Sequence, residues 1–174
     1  MNVVIKILSI VVGVIIEQAM PTSVFAGFAR PPILALIVAY YALNHSVPMM
    51  LAAALFGGIL SDCISSLPLG VTPLAMAVIG AVLYYCRATI FSGRMITNIV
   101  FGTAIGASMT FIIFMLLLFN GQTFYSLQLQ MFLLRIIGTM VYGAVLFPMI
   151  YALMEKLEYL TGARILQNDI NPDN

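Results

Sequence analysis

The apolar positions of this chain form long blocks, and the few charged ones stand between them. No Lys, Arg, Asp or Glu occurs in Pro31–Ser61, Cys63–Cys86, Met95–Leu134 or Ile136–Met154. About 20 apolar residues carry a helix across a hydrocarbon core of roughly 30 Å, so these blocks have the length of membrane crossings. The pattern predicts six helices. The first runs from Val3 to near Met20 and stops at Pro21-Thr22-Ser23. The second opens near Pro32, where proline suits the first helical turn, and closes near Leu43 at the break Asn44-His45-Ser46-Val47-Pro48. The third covers Met49–Leu60, the fourth Val71–Cys86, the fifth Met95–Phe119 and the sixth Met131–Met154.

The second and third helices are short, reaching only ~18–20 Å at the α-helical rise. They are either short spans with ordered flanks or the two arms of a re-entrant hairpin, which needs cover from other protein. Both arrangements bring the chain back to the same side. Lys6 before an apolar run, followed by Val24-Phe25-Ala26, imitates a cleavable secretory leader. Glu17 interrupts that run, and an uncleaved first helix is expected. The expectation is therefore an all-α, polytopic bundle of about six transmembrane helices, with one domain over 1–164 and a disordered cytoplasmic tail over 165–174. The chain shows no heptads and no internal repeat.

Composition sharpens this picture. Hydrophobic residues make up 63% and charged ones 7%, against about 25% charged in soluble domains. Seven basic and six acidic side chains leave a net charge of +1, so no basic patch exists to neutralise nucleic-acid phosphates. With the N-terminus inside, Lys6, Arg87, Arg94, Lys156 and Arg164 fall on the inner face, and Arg30 and Arg135 on the outer. That asymmetry obeys the positive-inside rule and predicts N-in, C-in.

Candidate chemistry is sparse. The sequence has no metalloprotease motif, paired catalytic carboxylates, phosphate-cradling glycine loop or nucleophile elbow, so no catalytic residue, metal or cofactor is assigned. Cys63 and Cys86 read as small membrane-helix residues. His45, in the break after the second helix, is expected to face the headgroups. Asp62 stands out, because ionisable groups at membrane depth are costly and default to functional candidates. Ala54, Gly58 and Asp62 share one helix face, and small residues there admit a close neighbour. Arg30 is placed to be the partner of Asp62, with Glu17 competing for it. Alternatively, Asp62 sits in the headgroups, hydrogen-bonded to the following backbone in Ser61–Ser66. Gly102, Gly106 and Thr110 form a second small-residue face, read as internal packing. Gly138, Gly143 and Pro148 suggest a kink or close contact in the last helix.

Three segments carry a family resemblance: Arg30-Pro31 opening the second helix, Gly58-Ile59-Leu60-Ser61-Asp62 ending the third, and Leu69-Gly70 opening the fourth. In this order and spacing the chain resembles the bacterial rod shape-determining MreD family. The resemblance implies a non-enzymatic, multi-pass protein of the inner membrane that helps position lateral peptidoglycan synthesis. It implies MreC as a binding partner, with MreB, RodA and the elongation-specific penicillin-binding protein acting indirectly, and a homodimer is possible. It also implies a fold similar to the S-component of energy-coupling-factor transporters. Arg30, Pro31, Gly58, Asp62, Leu69 and Gly70 become candidates for architecture or partner binding. The alternative is a vitamin-binding subunit of such a transporter. Its first helix usually carries an Ala-x-x-x-Ala contact, which Val3–Met20 lacks.

Overall fold

The structure, a computed structural model, describes residues 3–21, 29–65, 68–87, 95–119 and 128–160. These form six α-helices: α1 (Val3–Ala19), α2 (Ile33–Asn44), α3 (Val47–Ile64), α4 (Val71–Cys86), α5 (Met95–Phe119) and α6 (Gln128–Leu160). The cleavage-like Val24-Phe25-Ala26 and the expected tail 165–174 lie outside the described residues. Windows in three helices, Val47–Ile64, Thr97–Leu116 and Met131–Tyr159, are long and apolar enough to cross a membrane.

The shortest helix is the centre. α2 is apolar on every side, and Ile33–Ala42 are all buried, the arrangement required of a helix without a polar face. It touches each of the other five, with α1, α3, α4, α5 and α6 following one another around it. α5 and α6 form one tight hairpin and α3 and α4 another. Successive helices run in opposite directions. Glu17 at the end of α1 meets Leu34 at the start of α2. Asp62 near the end of α3 meets Gly70 just before α4, and α6 returns Tyr151 to Asn44 at the end of α2. The described charges therefore collect at two ends: Glu17, Arg30, Asp62 and Arg135 at one, and Lys6, Arg87, Glu155, Lys156 and Glu158 at the other.

Two helices depart from their expected lengths. α3 continues past Leu60 to Ile64, so Asp62 lies inside the helix, 2% exposed. α6 continues past Met154 to Leu160 and carries Glu155, Lys156 and Glu158 on helical backbone. Charges there mark the edge of the apolar block, not the end of the helix, because Glu and Lys are good helix formers. Pro148 sits within α6 without ending it.

Small residues set the closest approaches. A methyl added at Gly58 would come within 2.6 Å of the Pro73 backbone, so α3 and α4 touch where Ala54, Gly58 and Asp62 share a face. Gly102 and Gly143 abut across the α5–α6 contact, each with no room for a side chain against the other's carbonyl. Gly106 lies against the Thr139 carbonyl, and the Thr110 and Thr139 hydroxyls hydrogen-bond at 2.9 Å. The small face of the fifth helix is thus spent inside the molecule.

Candidate functional site

The first turn of a helix leaves backbone N–H groups without partners, and a membrane interior has no water to satisfy them. Neither α2 nor α4 supplies a side-chain cap, since their N-cap positions are Pro32 and Gly70. Carboxylates from the preceding helices do this work. Glu17 Oε2 accepts the Leu34 N–H at 2.7 Å. Asp62 Oδ2 accepts from Gly70 at 2.8 Å and, more weakly, from Thr72 at 3.4 Å. Val71 N–H turns to the Pro68 carbonyl at 3.4 Å, and Pro73 has no N–H, so the opening of α4 is accounted for. A negative group at a helix N-terminus is also favoured by the helix dipole. Gly70 has φ +100°, a left-handed conformation that L side chains seldom adopt, and it turns its N–H towards Asp62.

Asp62 thus bonds backbone, but that of Gly70 and Thr72 and not of Ser61–Ser66, and it lies buried and not among the headgroups; these bonds displace the pairing with Arg30. Arg30 Nη1 instead donates to Gln18 Oε1 at 2.6 Å, and Gln18 Nε2 reaches Ser61 Oγ at 3.4 Å. Arg30 therefore connects to α3 through two neutral side chains, while Asp62 points into the bundle. The second cap, Glu17, was not recognised as such from sequence. One signal for it existed: Gly13-x-x-x-Glu17 has the spacing of Gly58-x-x-x-Asp62. In both segments the glycine meets the next helix, Ile37 for Gly13 and Pro73 for Gly58, and the acid caps it.

Arg30-Pro31, Gly58–Asp62 and Leu69-Gly70 thus converge on one end of the bundle. Pro31 is fully buried, whereas Leu69 is 73% exposed. A family model described as rod shape-determining protein MreD matches residues 1–157. The chain belongs to the MreD family. Neither a curated protein nor a solved structure matches it. MreD proteins are rod shape-determining components, and the helices of this one fit a membrane protein. In this MreD chain a backbone-to-carboxylate bond joins Gly58–Asp62 to Leu69-Gly70, and Arg30 reaches Ser61 through the neutral Gln18, so no ion pair joins the three segments.

The opposite end corrects the expectation for His45. The ring does not face outward: its side chain is 15% exposed, and Nε2 lies 3.3 Å from Glu158 Oε1. The extension of α6 beyond Met154 brings that carboxylate in. Tyr41 meets the imidazole edge-on, with centroids 5.4 Å apart, and Arg87 donates to the His45 carbonyl at 3.2 Å. Burial lowers the imidazole pKa to about 4, with Lys6 acting in the same direction, so the ring is neutral at pH 7. A base whose folded pKa lies below its unfolded value, ~6.5, stabilises the fold above that value and loses the contribution as pH falls from there to about 4. Thermal melting in detergent should therefore drop between pH 6.5 and 4, and His45→Gln should flatten that dependence. An unchanged profile in the variant would assign the acid sensitivity to other groups.

Proposed function

We propose that this protein is a non-enzymatic component of the cell-elongation complex in the inner membrane, binding MreC and helping to position lateral peptidoglycan synthesis. The family match over residues 1–157 carries the reading. On it, all six helices cross the bilayer N-in, C-in, with the Lys6, Arg87 and Glu158 end cytoplasmic. The short central α2 is tolerated because protein covers it, and the bundle takes the S-component arrangement. The alternating helix directions and the gathering of Lys6, Arg87 and Lys156 at one end support this orientation. Arg30, Pro31, Gly58, Asp62 and Gly70 are assigned to keeping the other end in shape, and the exposed Leu69 to partner contact.

Depleting the protein from its own cells should round them, and the intact chain should restore rods. Cells that stay rod-shaped on depletion would refute a part in elongation. For the topology, a reporter active only outside the cytoplasm should be silent when fused after Arg164 and active within Gly121–Ser126. The reverse pair of results would reject the N-in, C-in arrangement.

A further inference from the structure

Two cations bound the lipid-facing stretch of α1. Lys6 stands at one end, and at the other the exposed Arg30 is held on Gln18, its Nη1 2.6 Å from Oε1. The helical rise puts Lys6 and Gln18 only ~18 Å apart. Their partners on α3 repeat that interval: Lys6 Nζ lies 3.3 Å from Met49 Sδ, and Gln18 Nε2 lies 3.4 Å from Ser61 Oγ. Among the described residues, the exposed apolar side chains of α1 and its end run from Ile7 to Met20. Those of α3 run from Leu51 to Ile64. Each belt is ~20 Å tall, against a hydrocarbon core of roughly 30 Å.

The belt of α6 is taller. Arg135 and Lys156 are both exposed, and the helical rise puts them ~32 Å apart. Ile137, Val141, Val145, Met149 and Leu153 are exposed between them, so this helix matches a full core. A belt shorter than the core is accommodated by thinning the bilayer, by flanking cations that reach out along their stems, or by oligomerising. The second route is closed on α1, because Lys6 and Arg30 are hydrogen-bonded back onto the bundle. Tilting would only shorten the belt further.

We propose that the α1–α3 side of the protein thins the bilayer beside it to roughly two-thirds of the ordinary core, so that short acyl chains are its preferred partners, while α6 takes chains of ordinary length. One chain thus meets two bilayer depths, and lipids of mixed length sort around it. The inference rests on the proposed crossing of the bilayer by all six helices, and not on any role in elongation.

The sequence contains no tryptophan, so a single introduced one reports its own surroundings. Val12→Trp stands midway between Lys6 and Gln18, and Val145→Trp midway between Arg135 and Lys156; both sites are exposed. The full chain is reconstituted in mixtures of dimyristoleoyl and dioleoyl phosphatidylcholine, with one or the other brominated to quench tryptophan on contact. At Val12→Trp the shorter lipid should be selected about threefold, and at Val145→Trp the longer one should bind at least as well. Adding Arg30→Leu, which extends the apolar belt, should move the Val12→Trp selection towards the longer lipid. Equal selectivity at the two sites would overturn the proposal. Quenching at Val145→Trp with none at Val12→Trp would also overturn it, since a second copy or another protein would then cover α1. No quenching at either site would unseat the bilayer crossing itself, and the proposal with it. Should either variant fail to fold, Leu8→Trp and Met149→Trp, also exposed on these helices, give the same reading.

Discussion

Asp62→Ala is expected to cost the fold about 3 kcal/mol, because it strips a charged acceptor from two N–H groups at a buried helix start. Gly70 and Thr72 would keep their N–H groups with no water to turn to. Asp62→Asn should lose far less. Its amide oxygen can still accept both bonds, and Asn and Asp serve almost equally as caps. Its NH2 would take the place of Oδ1, which meets no hydrogen-bond partner among the described residues. Arg30→Ala should cost less than ~1 kcal/mol, since its contact is exposed. The Arg30→Ala and Asp62→Ala losses should nearly add, as expected of sites without a shared partner, and exchanging the two charges should recover nothing. Melting of purified protein in detergent and its level in cells both report these effects. Recovery on charge exchange would restore the ion pair and remove the capping account.

Gly143→Ala and Gly102→Ala should be comparably severe, each costing about 3 kcal/mol, at the upper end of overpacking penalties. A methyl at either position meets a carbonyl oxygen of the facing helix, which cannot rotate away as a side chain can. The two helices must part, and the Thr110–Thr139 hydrogen bond, 2.9 Å long, goes with the contact. Once they have parted, a second methyl finds the space open. The double variant should therefore lose much less than the sum of the singles. Strict additivity would mean that the two glycines act separately and that the close approach is not what they provide.

The amount legible in the sequence follows from how local each signal is. α4 at Val71–Cys86 and α5 at Met95–Phe119 are bounded as expected, because glycine, arginine and asparagine punctuate those blocks within the chain itself. The ends of α3 and α6 were misjudged for a shared reason. Asp62 and Glu155 are charges, and a charge beside an apolar block reads as an exit from the membrane. Whether the helix stops there depends on a partner elsewhere: the N–H groups of Gly70 and Thr72 for Asp62, and the surroundings of His45 for α6. His45 and Glu158 are far apart in the chain, and no periodicity links them. The small-residue face at Gly102, Gly106 and Thr110 was legible as packing, yet its mate on α6 became specific only when Thr139 and Gly143 were seen opposite it.

The claim with most resting on it is that this MreD-family chain works by binding MreC in the membrane. It is tested by replacing Cys63 and Cys86 with serine, placing one new cysteine per helix on lipid-facing positions, and crosslinking in living cells. Adducts with MreC should form from one contiguous face and from no other, in cells that remain rod-shaped. Protein at its normal level, with shape intact and no MreC adduct from any of the six helices, would contradict the account.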